Sequence, residues 1–249
     1  MKSDIEDKII EKYYNIVIQD GLYSTKKRLN FYLNFIFDRA NFVDKKMLDI
    51  GAGKGLFSFY AACKGAKRVV SIEPQAEGSK SDSIKKFEKI LAELNLIETI
   101  QLEKTTFQNF QSDNDKFDII LLHDSINHLD EKACINLQYD SYAIKKYNKI
   151  FQKLSCLANK GTKLIIVDCS RYSIFSKFNF KNPFSPSIEW HKHQSPEYWA
   201  KLLLNFGFVS TDIRWISPPI LNSVGKIFLS NKVAAYFTGS GFCLTMEKN

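Results

Sequence analysis

The chain has 249 residues, of which 45% are apolar, 25% charged and 14% aromatic, and its formal net charge is +8. This is ordinary globular composition, and the length suits one well-packed domain. The five cysteines form no Cys-x-x-Cys pair and their number is odd, which argues against a disulfide framework or a zinc site. No run of five or six like charges marks a nucleic-acid-binding tail, so the basic charge is interpreted as a solvated surface.

The amino terminus and the hydropathy pattern bear on the compartment. The first eight residues are mostly charged and lack the apolar core of a signal peptide. No stretch approaches 18 uninterrupted apolar residues, the length of a membrane span. Free cysteines suit a reducing environment. Together these features predict a soluble cytoplasmic protein without a membrane span.

Two amphipathic segments, 4–20 and 26–42, open the chain. A break at Asp20-Gly21 separates them. Because both precede the first strand, they cannot belong to a strand–helix–strand unit. They are predicted to form an N-terminal helical cap over residues 1–43.

From residue 46 onward, short apolar strands alternate with helical segments, which is typical of a parallel α/β sheet. The predicted strands are 47–50, 68–72, 100–102, 117–122, 163–167, 208–216 and 242–247. The predicted helices between them are 56–64, 80–95, 132–157 and 195–207. Seven strands in this order predict a Rossmann-like, doubly wound, mostly parallel sheet in one domain over residues 44–249.

Two long segments interrupt this alternation. Residues 171–195 are rich in Phe, Ser, Asn and Pro, and residues 218–240 separate the last two strands. Segments of this length in a compact domain tend to be lids or binding loops, although they also occur as packing ornaments. They are interpreted as inserts that roof a pocket.

A glycine-rich turn follows the first strand. It reads Leu48-Asp49-Ile50-Gly51-Ala52-Gly53-Lys54-Gly55. Glycines at alternate positions allow a tight turn and a close approach of the backbone to a ligand. A dinucleotide site would instead have Gly-x-Gly-x-x-Gly. The acid before the turn suits a ligand with a cationic end, such as the amino group of methionine.

This segment resembles the first motif of class I S-adenosylmethionine-dependent methyltransferases. The resemblance implies S-adenosylmethionine as cofactor, bound by Asp49, Gly51, Ala52, Gly53 and Gly55. It also implies a seven-stranded sheet whose last strand is antiparallel.

The resemblance extends to the ends of the second and third strands. Glu73, followed by Pro74, takes the place of the acid that bridges the two ribose hydroxyls in this family. A carboxylate accepts two hydrogen bonds from a vicinal diol in a fixed geometry. The family's usual Asp for the adenine amino group is missing after the third strand, and Thr106 or the backbone of Phe107 is expected to replace it.

After the fourth strand comes His123-Asp124-Ser125-Ile126-Asn127-His128. This segment resembles that of many small-molecule methyltransferases, including ubiquinone-type O-methyltransferases. His123 and Asp124 are expected to shape the floor of the cofactor pocket. Some of those enzymes bind a divalent ion here, but an amide at position 127 weakens a site for a hard cation. No metal is predicted.

Transfer to a hydroxyl needs a base, and histidine has a suitable pKa near neutrality. His191 and His193 lie just before the helix that leads to strand six, where the acceptor enters in this fold. They are the first candidates for the base, and His128 is the second. The alternative is that the segment carrying His191 and His193 is a surface loop without a catalytic role. The polar segment that begins with Asp168 follows the fifth strand and is expected to border the crevice where the acceptor enters.

The sequence therefore predicts methyl transfer to a small-molecule acceptor through a hydroxyl. No Asn/Asp-Pro-Pro-Tyr/Phe follows the fourth strand, so the amino-directed DNA, RNA and protein methyltransferases that carry this motif are disfavoured, and with them a nucleic-acid partner. Ser217-Pro218-Pro219-Ile220 is similar but follows the sixth strand. An RNA- or protein-directed methyltransferase and a non-catalytic cofactor-binding scaffold stay open, as does the oligomeric state.

Overall fold

The structure is a computed structural model that describes residues 2–38, 40–74, 82–112, 114–183, 186–216 and 231–249. Its helices are α1 Lys2–Gln19, α2 Lys26–Phe37, α3 Leu56–Cys63, α4 Asp82–Leu94, α5 Glu131–Asn136, α6 Ser141–Cys156, α7 Ile174–Lys177, α8 Pro196–Leu204 and α9 Lys232–Phe237. Its strands are β1 Lys46–Ile50, β2 Arg68–Ile72, β3 Ile100–Glu103, β4 Phe117–His123, β5 Ala158–Cys169, β6 Phe208–Trp215 and β7 Gly241–Lys248. Short 3-10 helices cover Asn127–Asp130 and Trp190–Lys192.

The seven strands form one sheet in the order β3-β2-β1-β4-β5-β7-β6. β1 pairs with β2, and β2 with β3, in parallel. β7 is antiparallel to both β5 and β6. The predicted Rossmann-like sheet with an antiparallel last strand is confirmed.

The chain divides into two compact units, Met1–Leu121 and Leu122–Asn249. In the first unit, α1 packs against α3 and α4. The hydroxyl of the buried Tyr13 donates to the carbonyl of Leu56 at 3.0 Å, at the start of α3. The N-terminal helices are thus present and share the core of this unit. Whether they form a separate cap, as predicted for residues 1–43, stays a prediction.

The core of the second unit lies where α6 and α8 meet. Trp199 is fully buried there, and its ring centroid lies 5.3 Å from that of Tyr147 and 6.0 Å from that of Phe151. α8 begins as predicted, with the Ser195 hydroxyl accepting from the amide of Tyr198 and Pro196 in the first turn. Burial of these aromatic rings fixes α8 and the segment before it.

The predicted single helix over 132–157 is wrong, because the structure has two helices, α5 and α6, in this region. Residues 137–140 form a turn, and the carboxylate of Asp140 accepts from the amide of Tyr142 to start α6. α2 also ends earlier than predicted, because Asp38 adopts a left-handed conformation (φ 41°) and terminates the helix. No helix among the described residues is long and apolar enough to cross a membrane.

The two inserts are seen in part. α7 and the second 3-10 helix lie in the insert 171–195, and α9 lies in the insert 218–240. The Ser-Pro-Pro-Ile sequence at 217–220 and residues 221–230 lie outside the described residues.

Candidate functional site

In the first unit, the glycine-rich turn is folded against the end of β2. The amides of Gly51 and Ala52 both donate to the carbonyl of Ile72, at 2.8 and 3.0 Å. Gly51, Gly53 and Gly55 all have positive φ, between 54° and 84°, which explains why glycine occupies these positions. The turn is therefore a rigid connection from β1 to α3.

The space around the glycines differs. A Cβ at Gly55 would lie 2.6 Å from Phe59 and 2.7 Å from Phe87, so the third glycine is required by packing. A Cβ at Gly53 would meet no atom within 4 Å. The second glycine therefore borders open space, as a glycine that approaches a ligand should.

Glu73 follows β2 and reaches back to the turn. Its Oε2 accepts from the amide of Gly53 at 2.8 Å. Partial burial raises the pKa of Glu73, and the bond from Gly53 opposes this rise. The acid predicted for the ribose and the glycine predicted for the cofactor are thus joined directly. Pro74 follows and is partly buried.

Asp49 lies on β1 with only 1% of its surface exposed. Its Oδ2 accepts from the hydroxyl of Ser58 at 2.6 Å, and Ser58 in turn accepts from the hydroxyl of Ser71 at 2.8 Å. Its Oδ1 is buried without a hydrogen-bond partner among the described residues. Burial raises the pKa of Asp49 to about 7, although the bond from Ser58 opposes the rise. The carboxylate therefore lacks a compensating positive charge.

The two residues predicted to contact the adenine follow β3. The side chain of Phe107 is buried in the core, and Thr106 is exposed. The Thr106 hydroxyl accepts from the amide of Asn109 at 3.3 Å, as in a turn. The predicted adenine contact of these two residues stays a prediction.

In the second unit, His193 and Asp168 form a pair. His193 Nδ1 lies 2.9 Å from Asp168 Oδ1, and the same oxygen accepts from the amide of Cys169 at 2.7 Å. Asp168 is 1% exposed and the His193 side chain 14% exposed. Burial raises the pKa of Asp168, while the hydrogen bond from His193 opposes this effect. A carboxylate in this position orients the imidazole.

The other two candidate bases are differently placed. His191 lies in the 3-10 helix Trp190–Lys192 and is exposed. The His128 side chain is 58% exposed, and its Nδ1 lies 3.4 Å from a carboxylate oxygen of Glu131. Among the predicted bases whose surroundings the structure describes, His193 is the one held by a buried carboxylate.

A hydrogen-bond network holds the segment that carries His193. The buried amide of Gln194 donates to the carbonyl of Cys134 at 2.7 Å. Gln194 Oε1 accepts from Gln138 at 2.7 Å and from Arg171 at 3.3 Å. Because a buried amide with these partners has one favourable orientation, the backbone at residue 193 is fixed.

His123 ends β4 and Asp124 follows it. His123 Nδ1 lies 3.3 Å from Asp124 Oδ2. Burial lowers the pKa of His123, although Asp124 and Asp168 act in the opposite direction. Asp124 has positive φ (49°), and its amide donates to the carbonyl of Val167 at 2.9 Å. Within the described parts of the chain, no group of three or more His, Cys, Asp or Glu side chains is arranged to hold a metal ion.

A methyltransferase-domain family model matches residues 41–207, about two thirds of the chain. The chain belongs to this family. The match confirms the predicted class of S-adenosylmethionine-dependent methyltransferases, and with it the cofactor. The match includes the glycine-rich turn, Glu73 and the His193–Asp168 pair.

The curated relatives of this methyltransferase are matched over only part of their length. Over 120 residues it is 29% identical to protein arginine N-methyltransferase 1 of Caenorhabditis elegans, an alignment of 47% of this chain and 33% of that protein. The chain thus spans about a third of the length of the curated relatives it matches.

Solved structures resemble the fold more completely. A putative S-adenosylmethionine-dependent methyltransferase from Listeria monocytogenes is 14% identical with a TM-score of 0.61, over 90% of this chain and 97% of that chain. Geranyl diphosphate C-methyltransferase from Streptomyces coelicolor is 13% identical with a TM-score of 0.58, over 88% and 79%. At these identities the likeness establishes the fold.

The first unit of the methyltransferase fits S-adenosylmethionine in two respects. Among the described residues, a Cβ at Gly53 would meet open space, and Asp49 has an unpartnered buried oxygen and no cation beside it. Glu73 presents a carboxylate beside the same turn.

Sequence reasoning missed three supporting residues of the methyltransferase. Ser58 and Ser71 read as ordinary helix and strand residues, and Gln194 as part of a polar loop. A Ser on the buried side of an otherwise apolar helix is the one signal that singles out Ser58, since a hydroxyl there requires a partner. Gln194 gave no such signal, because its partners come from distant segments.

Proposed function

We propose that this methyltransferase transfers a methyl group from S-adenosylmethionine to a hydroxyl of a small-molecule acceptor, with His193 as the proton acceptor. The observation that carries the proposal is the 2.9 Å contact between His193 Nδ1 and the buried carboxylate of Asp168. A carboxylate at Nδ1 favours the tautomer with the proton on that nitrogen. This tautomer leaves the lone pair of Nε2 available to an acceptor hydroxyl.

The bound cofactor supplies an electrophilic methyl on a sulfonium. The protein's part is to hold the acceptor oxygen in line with that methyl and to take its proton as the new bond forms. Asp168 acts as a positioning residue, since it touches the imidazole and not the acceptor. The imidazolium that results lies beside the Asp168 carboxylate, which stabilises its charge.

The small exposure of His193 supports an acceptor that is slender or small. Only 14% of its side chain is open to solvent, so the acceptor group must reach a recessed ring. The surrounding network through Gln194 keeps the ring in place without the acceptor. For the cofactor we propose the residues named from the sequence, with Asp49, Gly53 and Glu73 at the centre.

A second candidate is transfer to a protein side chain. The match to a protein arginine N-methyltransferase over 47% of the chain favours it. That alignment spans only 33% of the relative. We therefore rank this candidate second. A scaffold that binds the cofactor without turnover is a third.

Methyl-labelled S-adenosylmethionine, incubated with the protein and a cell extract, separates these candidates. Label in the small-molecule fraction supports the proposal and gives a mass for the acceptor. Label in protein or RNA contradicts it and identifies the acceptor class instead. Cofactor binding without any label transfer favours the scaffold.

A further inference from the structure

Arg171 lies across the segment that carries His193. It follows β5, three residues after Asp168, and is partly buried. Its Nη1 donates to Oε1 of Gln194 at 3.3 Å, and its Nη2 donates to the carbonyl of His191 at 3.5 Å. These two partners lie on either side of residue 193 in the sequence. The guanidinium is therefore next to the segment that holds the proposed base.

The charge of Arg171 is not neutralised by an acid. Among the described residues it has no carboxylate partner, and both of its hydrogen bonds run to neutral oxygens. The two nearby acids Glu131 and Glu189 both contact Lys192 instead. A guanidinium has five N–H donors, so three of those of Arg171 have no partner in the described parts of the chain. A positive charge with unused donors suits an anionic ligand.

The same cation acts on the surroundings of the His193–Asp168 pair. The carbonyl of Cys134 accepts from the side-chain amide of Gln194 at 2.7 Å. Burial raises the pKa of the Cys134 thiol to about 12, the Asp168 carboxylate adds to this rise, and Arg171 opposes it. Because both charges act on one buried thiol, Arg171 and the pair lie in the same part of the second unit.

We propose that Arg171 binds an anionic group of the acceptor, a carboxylate or a phosphate, while a hydroxyl of the same molecule lies at His193. The substrate class is therefore a small hydroxylated acid. The planar guanidinium offers two parallel N–H donors, which match the oxygens of either group. This inference rests on the proposed function, because it needs a small-molecule acceptor whose proton His193 takes.

A purely structural clamp is the competing role for Arg171. Its two bonds, at 3.3 and 3.5 Å, are longer than the usual range for N–H···O bonds. Gln194 is held more closely by Gln138 and by the carbonyl of Cys134, both at 2.7 Å. The segment before α8 thus has shorter bonds of its own, and the guanidinium contributes little to its position.

The first part of the test extends the labelling experiment with methyl-labelled S-adenosylmethionine and a cell extract. The labelled small-molecule fraction is passed over an anion-exchange resin at neutral pH, where unreacted cofactor is not retained because it is cationic. We expect the labelled product to be retained and to elute with salt. A labelled product that is not retained overturns this inference and leaves the proposed function intact. Label in protein or RNA, or no transfer, overturns the proposed function and this inference with it.

The second part measures kinetics with the acceptor fraction that is retained on the same resin. The variants are Arg171→Gln and Arg171→Lys, and the matched control is Lys201→Gln, which removes one positive charge from an exposed position on α8. We expect Arg171→Gln to raise the KM for this fraction roughly 10- to 100-fold, with kcat and cofactor affinity nearly unchanged. Arg171→Lys should recover part of the loss, since it keeps the charge without the planar fork. The control should behave as the original protein does.

Three results overturn the role of Arg171. They are an unchanged KM in Arg171→Gln, a loss confined to kcat, as a structural clamp predicts, and a loss of cofactor affinity, which assigns the guanidinium to the cofactor instead. Circular dichroism establishes that each variant is folded. Should Arg171→Gln fail to fold, Arg171→Lys decides: a severalfold rise in KM supports the proposal, and an unchanged KM overturns it.

Discussion

Replacement of three glycines by alanine separates ligand binding from folding in this methyltransferase. Gly21, Gly53 and Gly55 all have positive φ, at 65°, 54° and 84°, so alanine is strained at each. The strain costs about 1–2 kcal/mol per position. A Cβ meets nothing within 4 Å at Gly21 and Gly53, but meets Phe59 and Phe87 at 2.6–2.7 Å at Gly55.

The expected stabilities follow from these contacts. Gly21→Ala and Gly53→Ala should lower the melting temperature by similar amounts, roughly 2–8 °C for a chain of this length. Gly55→Ala adds overpacking of two buried rings, about 1–3 kcal/mol more, and should be the least stable. Thermal unfolding followed by circular dichroism measures all three.

Affinity for S-adenosylmethionine should follow a different order. Gly21→Ala should bind as the original protein does, because Gly21 lies in the turn between α1 and α2. Gly53→Ala places a methyl in the space proposed for the cofactor and should weaken binding at least tenfold in isothermal titration calorimetry. If Gly53→Ala binds as tightly as Gly21→Ala, the assignment of the cofactor to this turn is wrong.

Other predictions concern charge and catalysis. His193→Ala should reduce turnover about 10²–10⁴-fold and leave cofactor affinity unchanged. His191→Ala should turn over at nearly the original rate. Equal rates in the two variants would remove His193 from the mechanism. Asp168→Asn should also slow turnover and change the pH–rate profile, whereas a purely structural role would leave the shape of that profile unchanged. The pKa of Asp49 is about 7, and a cationic ligand favours the ionised carboxylate. Cofactor affinity should therefore rise by up to tenfold per pH unit between pH 5 and 7 and then level off. Asp49→Asn should show no such rise, and a flat profile in the original protein would refute the role of this charge. Asp115→Ala leaves Lys46 and Arg68 without their shared carboxylate and should cost about 1 kcal/mol at neutral pH. Since these cations lower the pKa of Asp115, that difference should vanish in acid unfolding as the pH falls through the lowered pKa of this carboxyl.

The order of strands and the glycine-rich turn were predictable because they depend on local patterns. Apolar runs of four to seven residues and three glycines at alternate positions have the same meaning wherever they occur. The turn at 137–140 was missed because the apolar spacing continues through it, and only the cap at Asp140 interrupts the helix. Local periodicity carries no information on such a break.

Site residues that directly follow a strand could be predicted from the sequence. Contacts between residues that are distant in the sequence could not. Glu73 was found from its distance to the turn, but its hydrogen bond to Gly53 depends on how the β2 loop folds back. His191 and His193 had equal claims in the sequence, ahead of His128. Their separation arises from tertiary structure, because only the fold places Asp168, 25 residues away, against His193.

The His193–Asp168 pair also constrains the acceptor chemistry. A hydroxyl is a poor nucleophile until its proton is removed, so transfer to oxygen gains most from a positioned base. A neutral amine attacks through a lone pair it already has and loses its proton afterwards, so its transfer depends less on a base. A loss of more than 100-fold in His193→Ala therefore argues for oxygen as the methylated atom, and a loss of only a few-fold argues for nitrogen. The size of the effect thus distinguishes a hydroxyl acceptor from a neutral amine before the acceptor is identified.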